Sequence, residues 1–224
     1  MAGIAAGPIK DPTNLTSWTK LSLLAQIIVS VIAIISGTFE IQMLRDFQAG
    51  TFDGDLTDVA NANDIRQGIV GVLQALSFIT SGVLILMWIY RANFNAHRLG
   101  GVDMEFSPGW AVGWYFVPFA NLWKPYQAMK EIWQVSASPE RWEHEDRSWL
   151  LPLWWTIWII SNILGNVAFR LMLQDEPNLD QLMAASSVML VSDVLDIPLA
   201  AVFFFLVQKI QRMQLEQAQL QSFS

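Results

Sequence analysis

QGIVGVLQALSFITSGVLILMWIY, residues 67–90, runs without a single charged side chain. As a helix rising 1.5 Å per residue it is roughly 36 Å long, enough to cross the roughly 30 Å hydrocarbon core of a bilayer. Two more uncharged runs of that kind occupy residues 21–39 and 149–169. A fourth apolar stretch, residues 184–208, is interrupted only by Asp193 and Asp196. The pattern predicts an all-α integral membrane bundle with spans at about 21–43, 67–90, 149–173 and 184–208. Residues 1–20 and 209–224 are then tails, the second a Gln-rich helix expected to dock on a partner or to fray.

Composition agrees with this reading. Apolar residues make up 53% of the 224 and charged residues 15%, below the roughly 25% charged of soluble domains. Cysteine is absent and histidine occurs twice, as His97 and His144. Thiolate metal sites, disulfides and cysteine nucleophiles are therefore excluded, and neither a metal nor another cofactor is expected. No P-loop, dinucleotide fingerprint or HExxH helix is present, and no nucleophile–base pairing is visible. A net charge of −7 argues against a nucleic-acid partner. Asp53-Gly54-Asp55 with Asp58 lacks the ligand order of an EF-hand and reads as a solvated loop. The opening residues lack the basic and short apolar regions of a cleaved signal, so the first span is expected to remain as an anchor.

Charge sets the orientation. With four spans, Lys10, Lys20, Arg91, Arg98, Lys124, Lys130, Arg141, Arg147, Lys209 and Arg212 share one side, and only Arg45, Arg66 and Arg170 lie on the other. The positive-inside rule places the first group, and both termini, in the cytoplasm. All eleven Trp fall at or near the cytoplasmic boundary or in the inner half of span three. They serve either as headgroup anchors or as a surface that meets a partner.

Between spans two and three lies a fifth uncharged run, 106–123, too short and too broken to cross. Ser107-Pro108 is a helix-start pair, and Pro118 with Asn121 breaks the helix after about two turns. Leu122, Tyr126, Met129 and Trp133 then recur at helical spacing, which predicts an amphipathic stripe. With both flanks cytoplasmic, residues 107–134 form a hairpin that dips into the membrane and returns, or lies along the interface. Arg91 and Arg98 would face Lys124 and Lys130 across it, forming a basic, aromatic pocket for an anionic headgroup or acidic segment. The competing reading makes these residues topological charges alone. Gly109 and Gly113, like Ser30, Ala33 and Gly37 in span one and Gly68, Gly71 and Ala75 in span two, are expected to let helices approach closely.

The stretch from Met87 to Trp133 resembles the core of a membrane family, the domain of unknown function 4328 family. The residues that carry the likeness are Trp88, Tyr90, Arg91, Asn95, Leu99, Phe106 to Trp110, Gly113, Trp114, Pro118, Asn121 to Trp123, Pro125, Tyr126, Met129 and Trp133. The resemblance implies a bacterial multi-span protein of the cytoplasmic membrane, and it implies no activity.

Asp193 and Asp196 sit near mid-span, where an ionised carboxylate costs about 2.5–3.5 kcal/mol even on a lenient scale. They share a helix face with Ala200. Asn162, Asn166 and Arg170, four apart on span three, are the expected partners, with Gln74 and Glu40 in reach. The result would be an intramembrane polar network, read either as a lock on helix register or as a proton or cation site. Two functions follow. The first is a non-enzymatic binding protein, an accessory subunit or lipid-contacting scaffold, using Arg91, Arg98, Trp110, Trp114, Pro118, Asn121, Trp123, Lys124, Tyr126, Lys130 and Trp133. Its partners would be membrane lipids and another membrane protein or further copies of itself. The alternative is a proton- or cation-linked small-solute carrier built on the Asp pair in an oligomer.

Overall fold

The structure, a computed structural model, describes residues 6–51, 55–173 and 178–223. Asp53, Gly54, Asp175 and Glu176, which the sequence places in acidic loops, lie outside the described residues. Among the described residues six α-helices follow in order: α1 Thr13–Ala49, α2 Leu56–Arg98, α3 Pro108–Gly113, α4 Lys124–Ala137, α5 Leu150–Met172 and α6 Leu179–Ser222. No strand occurs among the described residues. α1, α2, α5 and α6 are each long and apolar enough to cross a membrane.

The long helices begin and end on local chemistry. Asp11 accepts the amide of Thr13 and Asp55 that of Thr57, each at 2.8 Å. Hydrogen bonding from the Thr13 side chain, and then from its amide, holds the Asp11 carboxyl below its ordinary value. At the head of α6, Asn178 and Gln181 cap each other's amides reciprocally at 2.9 Å, the double satisfaction of a capping box. α2 stops where Gly100 takes φ 100° and the Gly101 amide reaches back to the Ala96 carbonyl at 3.2 Å. Such a stop needs a left-handed residue, which glycine adopts without strain.

Two compact units divide the chain. The first gathers Met1–Ser22, Ser81–Thr156 and Val202–Ser224; the second gathers Leu23–Thr80 and Ile157–Ala201. In the first, Trp88, Leu99, Phe106, Met129, Ile132, Leu151, Leu206 and Ile210 form a buried core. The segment before α1 is held against α2: Asn95 exchanges two hydrogen bonds with the Lys10 backbone, and Gly7 donates to the Arg98 carbonyl. In the second unit, large apolar side chains such as Ile28, Ile69, Phe78 and Ile163 point outward. A water-soluble fold would hide so much contiguous apolar surface; a hydrocarbon surround makes it favourable.

Polar contacts in the second unit are concentrated. Glu40 accepts from Gln67 at 2.9 Å and from Asn63, while Arg66 donates to Ser36 and Asn63. Glu40 thus serves α1–α2 pairing and does not bond the Asp pair of α6. Of the expected small-residue contacts, Ser30 and Ala33 are buried, whereas a methyl group built at Gly68, Gly71 or Gly109 would meet nothing within 4 Å. Those three glycines mark no close helix approach within the chain.

Candidate functional site

Two places in the molecule gather unusual chemistry, one in each unit. The first is the hairpin between α2 and α5. Pro108 opens α3 at its first turn, and 3₁₀ turns at Trp114–Phe116 and Ala120–Leu122 lead into α4. At the tip, the Ala120 amide donates to the Pro118 carbonyl at 2.8 Å, closing a three-residue turn around Phe119 at φ 63°, ψ −50°. This is a γ-turn of the strained, positive-φ kind. The tip side chains project outward: Phe116 is 71% and Phe119 78% exposed, with Trp110, Leu122 and Trp123 about half so.

α4 holds this tip in place but is not the surface stripe that its spacing suggests. Met129 and Trp133 are buried in the core together with Ala128, Ile132, Val135 and Ser136, so Trp133 is unavailable to a partner. The reason is that α4 packs against α3 and the neighbouring 3₁₀ turns, while Ser136 and Ala137 accept hydrogen bonds from Gln214 and Gln217 of α6. Glu131, buried on α4, accepts the amides of Glu105 and Phe106 at 2.9 and 3.2 Å. Burial raises its carboxyl above the ordinary value, and those two amides partly counter the shift. The Leu122 carbonyl, left free where the helix breaks, accepts the Trp155 indole at 3.0 Å.

The expected basic pocket does not assemble. Arg91 donates to the Asp11 carbonyl and Arg98 to the Pro8 carbonyl. Lys124 pairs with Glu105 at 2.6 Å and lies near the Phe106 and Trp114 rings. Three of the four cations are therefore taken by internal acceptors, because the segment before α1 and the loop before α3 bring carbonyls and a carboxylate to them. Lys130 and Asn121 are half-buried, as is Tyr126, which lies 6.3 Å from the Trp155 ring; Pro118 is exposed. Trp110 stacks on Trp114 at 4.8 Å. At the tip itself the large side chains that remain outward, Phe116, Phe119, Leu122 and Trp123, are apolar.

The second place is a cavity of about 350 Å³ in the second unit, lined by residues from α1, α2, α5 and α6. Asp193 and Asp196 both face it, with Gln26 and Gln74 opposite and Phe78 and Phe169 at its rim. Asp193 is 8% exposed and accepts the Gln74 amide at 2.6 Å. The stripe expected to partner the carboxylates is elsewhere. Asn162 and Asn166 are exposed and donate to the carbonyls four residues back on α5, Trp158 and Asn162, at 2.7 and 2.8 Å; Arg170 is exposed too. Asn amides that satisfy themselves on their own helix need no inward partner, so α5 turns Gly165, Ala168 and Phe169 toward the cavity instead.

Sequence reasoning also missed the polar interior of the first unit. Gln214, 1% exposed, donates to the Ala92 carbonyl and the Ser136 hydroxyl at 2.8 and 3.0 Å and accepts from Asn95. Gln217 and Gln221 donate to the Ala137 and Leu99 carbonyls. Their spacing, 214, 217 and 221, was the available signal.

The signature residues Trp88, Asn95, Leu99, Phe106 and Met129 thus meet in one buried core, and a family comparison covers the whole region. Residues 54–212 match the domain of unknown function (DUF4328). The chain belongs to that family. The match takes in α2 through most of α6, so the hairpin and both carboxylates of the cavity fall inside the family's domain, while the α1 wall of the cavity, with Gln26, Val29 and Ser30, lies before it. No curated protein and no solved structure matches the chain.

Proposed function

We propose that this DUF4328 protein works by binding and not by catalysis, as a multi-pass protein of the bacterial cytoplasmic membrane with both termini inside. Its contact surface is the hairpin tip, Trp110 to Trp123, re-entrant from the cytoplasmic side and seated among lipid chains. The observation that carries this reading is the outward apolar tip on a buried support. Each large apolar side chain moved from water to hydrocarbon gains about 1.5–3 kcal/mol, so several of them at one tip favour insertion strongly. Irregular backbone survives at that depth only if its polar groups are paired. Here the amides of Val117, Ala120, Asn121, Leu122 and Trp123 all find nearby carbonyls. Because Arg91, Arg98 and Lys124 are engaged internally, the contact is with acyl chains or an apolar membrane partner and not with a headgroup. Such a surface suits a lipid-contacting scaffold or an accessory subunit.

The absence of native Cys makes the test direct. A spin label at Phe116→Cys or Phe119→Cys in liposomes is expected to collide readily with oxygen and poorly with a water-soluble nickel chelate. Water-like collision rates at both sites would remove the basis of this reading. A second function, a proton- or cation-linked small-solute carrier working as an oligomer, is favoured by one observation, the carboxylate-lined cavity of the second unit.

A further inference from the structure

From the chemistry of that cavity we infer that it binds a small organic cation, an ammonium group carrying a compact apolar body. The inference rests on the carrier reading and names its cargo. Three observations converge. First, two carboxylates face one space, and no Lys, Arg or His is among the described residues that line it. Gln74 donates to Asp193, but an amide offers a dipole and not a charge, and Asp196 has no hydrogen bond among the described residues. A buried acid beside a half-buried one, with no counter-ion on the wall, is costly, and an ammonium guest supplies the missing charge with its own N–H donors.

Second, the space is far larger than a bare ion requires. At about 350 Å³ it falls within the roughly 300–1,000 Å³ of small-molecule sites, whereas a water occupies about 30 Å³ of liquid. No group of three His, Cys, Asp or Glu suited to a metal occurs among the described residues. The lining beyond the carboxylates is mainly apolar, with Phe78 and Phe169 at the rim, where ring faces attract cations as well as hydrocarbon. Third, the Ser77 hydroxyl, on the wall, is buried without a partner among the described residues. One residue of the wall thus carries an unsatisfied hydrogen-bonding group.

The experiment titrates the full chain in lipid nanodiscs by calorimetry with 2-phenylethylammonium, with its neutral counterpart 2-phenylethanol, and with sodium chloride. The expected result is saturable binding of the ammonium, with the alcohol at least tenfold weaker and sodium showing none. Asp196→Asn should weaken ammonium binding at least tenfold. The alcohol comparison uses the unmodified chain, so it decides the matter even if Asp196→Asn fails to fold. Equal binding of alcohol and ammonium, or no saturable ammonium binding, overturns the inference. Saturable sodium binding without ammonium binding also overturns it while leaving an ion-linked carrier in place. Ammonium binding with no ammonium flux in proteoliposomes upholds the site and removes the carrier.

Discussion

Phe119 carries the clearest strain among the described residues, a bulky side chain at φ 63° and ψ −50°. A conformation of this kind costs about 1–3 kcal/mol, and glycine would adopt it freely. Phe119→Gly is therefore expected to leave the thermal midpoint in detergent unchanged or higher, whereas Phe119→Val should lower it. A lower midpoint for the glycine variant would show that the Phe119 ring contributes more to folding than its backbone costs. Glu131 makes the opposite kind of contribution. Its carboxylate is the acceptor for two amides of the loop before α3, so Glu131→Ala should destabilise by about 1–3 kcal/mol, the cost of leaving buried donors unpaired. Its pH dependence follows from the raised carboxyl. The fold holds the proton more tightly than the unfolded chain does. Its contribution is therefore full below the ordinary value of 4.5 and declines as pH rises through the higher folded value. Unfolding curves from pH 4 to 8 should show this decline in the native chain and a flatter profile in Glu131→Gln.

Among the elements, α6 departs furthest from its sequence reading. The last turns look polar and expendable, yet Gln214, Gln217 and Gln221 lay one edge of that helix against carbonyls of the α2 and α4 ends. Gln214→Leu should cost about 2–3 kcal/mol, because the Ala92 carbonyl and Asn95 amide lose a buried partner. Gln221→Ala, at the exposed end, should cost less than about 1 kcal/mol. Equal, negligible effects in thermal unfolding would restore the picture of a frayed tail. α5 illustrates why polar stripes mislead. Asn162, Asn166 and Arg170 align as a network would, but an Asn amide finds an acceptor one turn back, and nothing in the one-dimensional pattern separates that from an inward partner. Gln74, an amide well inside the uncharged run 67–90, was the better indicator.

For the whole molecule the decisive quantity is which segments share a side of the membrane. Ten of the thirteen basic residues predict that the hairpin flanks and both termini lie inside. In intact cells a membrane-impermeant maleimide should label Thr51→Cys, and it should label Leu220→Cys only after lysis. Labelling of both from outside, or of Leu220→Cys alone, would invert or break the four-span topology.

Length, hydropathy and charge by themselves determined that the chain is all-helical with four helices able to cross a bilayer, because the requirement of about 20 apolar residues per crossing is local and additive. The broken run at 106–123 was legible for the same reason, since Pro118 and Asn121 act on their own turn. Only the tertiary structure decided which polar groups meet. Asp193 pairs with Gln74 from a helix more than a hundred residues away. Arg91 and Arg98 are capped by carbonyls of the first dozen residues. Pairing of this kind depends on helix rotation, and a shift of one residue turns a side chain by about 100°, from a cavity wall to the lipid face.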